Sequence, residues 1–340
     1  MIDRLKRLAH CCATSAMVFI PAATIWAVSI SGAAHLSVPT AMKPDGLSQS
    51  ERAKAVQNEK QARPARLPST VRFREVSGRG LLVSVWVNDA GPYTFAIDTG
   101  AGATILSRRV AVEARVSSSG KRPLVLGGIS EAGAATGQES LIRSLAVGDK
   151  YNLLPSGGLV IVTERLAPGV DGVLDPAEAY WPLGFEIDMP RGELTAFDPR
   201  SMPLRRNQPL QPDETIVPWL FDGQSRRPFV MLEGHVRALL DTGSGFGLAL
   251  TEDAAVTLGI IPNRSRDRAV DVRDLAGGSI SAHRISPATV SLGGLVLRGI
   301  PTDLVQNTHA GSPVLLGRDA LRPFRLTFDP LNRLIRIVPG

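Results

Sequence analysis

The chain has 340 residues, 44% of them hydrophobic and 21% charged, which is material for one large domain or two ordinary ones and excludes wholesale disorder. Gly 33 and Pro 25 beside 5% aromatic residues favour many turns and short elements over long helices. The net charge of +6 is spread without a Lys/Arg block of the kind that tracks phosphates, so no nucleic-acid partner is expected.

In chain order the first element is a leader. Arg4, Lys6 and Arg7 precede an uncharged run from Cys11 to Ile30 and a small-residue end at Ser31-Gly32-Ala33-Ala34, the three parts of a secretory signal. Residues 1–34 are therefore read as a signal peptide cleaved after Ala34. The run of about twenty residues is also long enough to span a bilayer, so attachment to a membrane through residues 11–30 is the alternative. Either way the body is expected outside the inner membrane, periplasmic or secreted. Both cysteines, Cys11 and Cys12, leave with the leader. That would exclude disulfides, a Cys nucleophile and Zn–Cys sites from the body. Residues 35–69, rich in Pro, Ser, Gln and charge, read as a linker or pro-segment without structure of its own.

From there the chain says nearly the same thing twice. Leu81–Val87 is an extended run, Asn88-Asp89-Ala90-Gly91 a turn, and Tyr93–Ile97 a returning strand that ends in Asp98-Thr99-Gly100. Phe229–Glu233, Gly234 and His235–Leu240 repeat the hairpin and end in Asp241-Thr242-Gly243. Ser107 and Thr251 are N-cap candidates for helices over Arg108–Val116 and Glu252–Ile260. Gly127-Gly128 and Gly277-Gly278 follow in matching strand-turn-strand contexts, and Leu145–Gly148 matches Val290–Gly293. Late in each copy stand Gly172-Val173-Leu174-Asp175-Pro176 and Val314-Leu315-Leu316-Gly317-Arg318-Asp319, and each closes on a hairpin, from Phe185 and from Phe324. Four prolines between Pro199 and Pro212 mark a linker. The expected division is a lobe over 70–199, a linker over 200–213 and a second lobe over 214–340.

A strand running into Asp, a small hydroxyl residue and Gly sets a carboxylate on a tight loop, with Thr free to bond across to a partner loop. If a pseudo-twofold brings the two loops together, Asp98 and Asp241 share one proton and titrate as a pair. The ionised member then activates a water and the protonated member polarises a carbonyl. Other readings are weaker. Gly243-Ser244-Gly245-Phe246-Gly247 has the wrong spacing for a dinucleotide loop. His35, His235, His283 and His309 lack ligand spacing and read as surface or capping residues, so no metal is expected. No Gly-x-Ser-x-Gly elbow supports a Ser-His-Asp triad. Trp86, Trp181 and Trp219 read as core, and Arg322, Arg325, Arg333 and Arg336 as the solvent side of the closing hairpin.

At these residues the sequence resembles the pepsin/retropepsin class of aspartic peptidases, most closely the bacterial exported type with two fused retropepsin-like units. Ala96–Ala101 is similar to the retroviral-type active-site loop, Leu239–Ser244 to the form common to both branches, and Val314–Asp319 to the segment before the short helix of retroviral-type proteases. The resemblance covers about 71–340. It implies an all-β bilobal fold with short helices, Asp98 and Asp241 as the catalytic pair, and loops supported by Thr99, Gly100, Thr242, Gly243 and Ser244. It also implies flaps at Gly127, Gly128, Gly277 and Gly278, a peptide or protein substrate, no cofactor, and a monomer. Three departures stand out: neither flap segment carries a Tyr, the first lobe lacks the Gly after its apolar pair, and Ala101 follows the first Asp-Thr-Gly. A lobe pair of this shape that binds peptides or a partner without cutting them is the alternative reading.

Overall fold

The computed structural model describes residues 66–119, 124–126, 135–155, 158–222, 225–261, 268–273, 279–306 and 313–340. The expectations for residues 1–65, leader and most of the linker, lie outside them, as do the glycine pairs Gly127-Gly128 and Gly277-Gly278.

In the first lobe the chain runs β1 (Val71–Arg72), β2 (Arg74–Val76), β3 (Gly80–Val87), β4 (Ala90–Ile97), β5 (Ile105–Ser107), α1 (Arg108–Glu113), β6 (Ser117–Ser118) and β7 (Leu124–Leu126). It continues through β8 (Ala135–Ile142), β9 (Leu145–Val147), β10 (Gly158–Thr163), β11 (Gly172–Leu174), α2 (Pro176–Ala179), β12 (Gly184–Asp188) and β13 (Glu193–Phe197). The second lobe opens with β14 (Thr215–Pro218), β15 (Leu220–Asp222), β16 (Ser225–Leu232), β17 (Val236–Asp241), β18 (Leu248–Leu250) and α3 (Glu252–Thr257). It ends with β19 (Arg268–Arg273), β20 (Ser279–Leu292), β21 (Leu295–Val305), β22 (Val314–Gly317), α4 (Arg318–Leu321), β23 (Phe324–Asp329) and β24 (Leu334–Pro339). The protein is all-β with short helices, built as two repeated lobes.

The main sheets have the same order. β3-β4-β11-β5-β10-β8 in one lobe corresponds to β16-β17-β22-β18-β21-β20 in the other. In each, the strand that ends at the aspartate pairs in parallel with a short apolar strand: β4 with β11, β17 with β22. Asn88 and Asp89, both at positive φ, make the two-residue turn that brings β4 back along β3, so β4 begins at Ala90 rather than Tyr93.

The closing hairpins do more than end their lobes. β12 pairs antiparallel with β23, giving a six-stranded sheet, β1-β13-β12-β23-β24-β14, with three strands from each lobe. Phe185 and Phe328 are register partners in it and their rings stack at 4.6 Å. Trp219 packs edge-on to both, with Tyr180 and Phe221 beside them, so one aromatic cluster joins the lobes. Trp219 is core, whereas Trp86 and Trp181 are half-buried.

Both expected caps are formed: Ser107 Oγ accepts the Val110 N–H at 3.3 Å and Thr251 Oγ1 the Ala254 N–H at 3.3 Å. The helices stop three residues short of the expected ends. Arg115 (φ 50°) and Gly259 (φ 68°) turn left-handed, and Val116 and Ile260 donate back to Ala111 and Ala255, a motif that closes a helix.

Candidate active site

β4 and β17 deliver Asp98 and Asp241 to the junction of the lobes. The Asp98 N–H donates to Leu174 O at 2.9 Å, and Asp241 stands in register with Gly317. The two threonines interlock. Thr99 Oγ1 donates to Leu240 O at 2.7 Å and accepts the Thr242 N–H at 3.1 Å; Thr242 Oγ1 donates to Ile97 O at 3.3 Å and accepts the Thr99 N–H at 3.1 Å. Each hydroxyl thus bridges the opposite loop, and both threonines are fully buried. Four reciprocal bonds of this kind fix the separation of the loops that carry the carboxylates.

The glycines let that separation be small. A Cβ on Gly100 would lie 2.8 Å from Asp241 Cγ, and one on Gly243 would fall inside the Asp98 carboxyl. Gly100 N–H donates to Asp98 Oδ1 at 2.7 Å; Gly243 and Ser244 N–H both donate to Asp241 Oδ1, at 2.9 and 3.0 Å.

The interlocked loops bring the two carboxyls close enough to act on each other's ionisation. Burial and the neighbouring Asp241 hold Asp98 well above the usual carboxylate range. Burial also raises Asp241, but the neighbouring Asp98, the N–H groups of Ser244 and Gly243 and the charge of Arg318 pull it back. The surroundings therefore favour the proton on Asp98 and the negative charge on Asp241.

A smaller part of that difference comes from what lies beneath each loop. In the second lobe Arg318 is buried, and its Nη1 donates to Thr242 O and Gly243 O at 2.9 and 2.8 Å. Backbone N–H groups at the start of α4 bind the active-site loop directly: Gly317 to Gly247 O, Arg318 to Ser244 O and Asp319 to Phe246 O. In the first lobe the positions of Gly317 and Arg318 are taken by Asp175 and Pro176, since Leu174 and Leu316 sit in the same register. Pro176 has no N–H to give. Asp175 turns its own carboxyl inward, caps α2 by accepting the Ala177 N–H at 2.9 Å, and is fully buried. Burial pushes it up to about 8.

Ion pairs cross between the lobes at both ends of this arrangement. Glu75 of β2 meets Arg322 at 2.8 Å and Arg318 Nε at 3.5 Å, the latter an electrostatic contact rather than a hydrogen bond. On the opposite side Glu178 of α2 pairs with Arg226 of β16, whose guanidinium lies 4.1 Å over Trp181. Arg325 faces Glu186 across the lobes and Arg336 pairs with Glu214 within the second. Arg322, Arg325 and Arg336 thus belong to ion pairs rather than to a bare solvent face, while Arg333 lies over the Phe221 ring.

Asp98, Thr99, Gly100, Asp241, Thr242, Gly243 and Ser244 thus come together at one place, whereas Gly127, Gly128, Gly277 and Gly278 fall on residues outside the description. Arg318, Asp175, Glu75 and Arg226 were not singled out from sequence as site residues. Arg318 lay inside a motif already noted, and Asp175 was visible as the missing glycine. His235 Nε2 lies 3.3 Å from Thr257 O, the carbonyl of the last residue of α3, to which it donates when it carries the proton, a capping position. Among the described residues no cluster of three or more His, Cys, Asp or Glu side chains is set to hold a metal ion.

Two β-lobes with interlocked Asp-Thr-Gly loops define a bilobal acid-protease architecture. A family model described as aspartyl protease matches the chain twice, at residues 83–174 and 230–320, one match in each lobe and together more than half its length. The chain belongs to the aspartyl protease family. No curated protein matches it significantly.

Proposed function

We propose that the chain is an exported aspartic endopeptidase. The observation that carries this reading is the pair of carboxyls that the interlocked loops of the two lobes bring together, each raised by burial. Such a pair retains one proton where isolated carboxylates would have none. A water between the side chains would give a proton to Asp241 as its oxygen bonds to the scissile carbonyl carbon. Asp98 would donate a hydrogen bond to the carbonyl oxygen as it gains charge. When the C–N bond breaks, the proton on Asp241 passes to the leaving nitrogen, and no covalent enzyme intermediate forms. The substrate is a peptide or protein, and export rests on the leader's basic start, apolar run and small-residue end.

The test is incubation with a diverse peptide library and product readout by mass spectrometry. Asp98→Asn and Asp241→Asn should each lower cleavage by about a thousandfold or more while circular dichroism stays unchanged. Full activity in either variant would remove the two-carboxyl mechanism, and a body isolated still carrying Met1 would point to an anchor instead of a cleaved leader.

A further inference from the structure

Among the described residues Asp175 and Asp303 are both 0% exposed with one carboxyl oxygen left over. Asp303 is held by Arg284 Nε at 2.6 Å, whereas Asp175 is bonded by no side-chain cation. Its Oδ1 takes the Ala177 N–H, its Oδ2 has no hydrogen-bond partner, and the side chain is 0% exposed. A helix cap explains one oxygen and leaves burial of the other unexplained, at a cost that a Ser cap would avoid.

The backbone explains why the carboxyl fits. Ile105 and Ala249 are equivalent, each pairing with the strand residue that stands beside the second residue before its aspartate. Ile105 comes seven residues after Asp98 and Ala249 eight after Asp241, so the first loop is one residue shorter. In the second lobe the loop lies over Gly317: a Cβ there would come within 3.0 Å of Ser244 O and press into Phe246 O. In the first lobe the side chain of Asp175 occupies the corresponding position, and the Ala177 N–H, which corresponds to the Asp319 N–H that binds the loop, binds Asp175 instead.

Asp175 follows Leu174, whose carbonyl accepts the Asp98 N–H, and its charge acts on Asp98. The charged groups facing Asp175 are Asp98 on the loop after β4, Glu178 on its own helix and Arg226 from β16. Thr104 Oγ1 accepts the Asp175 N–H at 3.4 Å.

We propose that Asp175 is a positioning residue that fills the space beneath the shorter first loop and, once ionised, opposes loss of the proton held on Asp98. This rests on the protease reading above. The negative charge that Asp175 gains as pH rises opposes loss of the proton held on Asp98. Burial places the Asp175 step at about 8, which is where the effect begins. The second lobe has Arg318 at the neighbouring position and the opposite sign, so the two loops are biased in opposite directions.

The experiment uses the full chain and Asp175→Asn, which keeps the cap and cannot ionise. The alkaline limb of kcat/KM should move down by about one pH unit, a tenfold loss of activity above the limb, with the acid limb unmoved. A purely structural role would lower the rate at every pH and leave both limbs in place, and that result overturns the proposal. Side-chain carboxyl 13C shifts of labelled Asp, followed from pH 3 to 10 in the wild type, test it without catalysis. A two-step curve for Asp98, with one step at the Asp175 midpoint, supports it, and independent single steps overturn it. If the wild type cleaves nothing, the protease reading fails while the titration still decides the role of Asp175. Should Asp175→Asn not fold, Asp175→Ser gives the same comparison.

Discussion

The outer parts of the two lobes match closely and their centres do not. Each lobe has the same strand order, the same parallel partner for its aspartate strand and a hydroxyl cap at 3.3 Å on a six-residue helix. At the centre, the second loop is held by three backbone bonds from α4 and two more from Arg318, and two N–H groups point at Asp241. The first loop is shorter, has one N–H on Asp98, and has a buried acid where the other has a glycine. A homodimer of one lobe would give both carboxyls the same surroundings. Fusing two copies in one chain frees each loop to change alone, and here the change separates a proton-holding side from a charge-holding side. The interlobe pairs follow the same division: the first lobe supplies Glu75 and Glu178, the second Arg318, Arg322 and Arg226.

The sharpest way to break this comparison is through the glycines. A methyl on Gly243 would fall inside the Asp98 carboxyl, whereas one on Gly100 would stop 2.8–3.0 Å from the Asp241 carboxyl. Gly243→Ala should therefore lower kcat/KM by about a hundredfold or more, since a displacement near 1 Å at reacting groups costs that much. Gly100→Ala should cost clearly less. Equal losses would mean that the loops give way equally and that the tighter second loop has no consequence.

Arg318→Met removes the cation from beneath the second loop. Two hydrogen bonds to buried carbonyls go with it, a loss of about 2–3 kcal/mol in urea unfolding. The sign of the pH effect follows from what Asp241 must do. Arg318 lowers its pKa, Asp241 acts ionised, and without the arginine ionisation needs a higher pH. The acid limb of the rate profile should move up by about one pH unit, the reverse of the alkaline-limb shift expected for Asp175→Asn. An arginine that serves only to brace the loop would reduce stability and leave the limb alone.

What could be read from the residues was whatever is local. Asp-Thr-Gly after an apolar hairpin, Ser107 and Thr251 as caps, and the repeated order of strands are each written in a few neighbouring positions. The six-stranded sheet was not legible, because Phe185 and Phe328 look like ordinary strand residues until the chain brings them together from 143 positions apart. Gly259 could have marked the end of α3, though the expected helix ran past it to Ile260, and nothing marks Arg115 as a left-handed residue; tertiary packing imposes that conformation. Asp175 was visible as a departure from the expected Gly. Its meaning was not, because it depends on a loop one residue shorter, and only strand register reveals that length.

The smallest predicted effect checks that the asymmetry is confined to the centre. Ser107→Ala and Thr251→Ala each delete a single cap bond of the same length, on helices of equal length, with Val110 and Ala255 buried beneath them. Each should cost about 1 kcal/mol of unfolding free energy, and the two losses should agree within about 0.5 kcal/mol, the scatter expected of independent sites. α3 carries Glu252 and Asp253 in its first turn and α1 carries no acid there, so any residual difference should show α3 tolerating cap loss slightly better, its N-terminus still facing two negative charges. That remainder should shrink in high salt, since it arises from exposed charges. A difference that survives salt and exceeds the cap's own worth would place a second asymmetry in the helices, and the contrast between the lobes would no longer be a property of the loops alone.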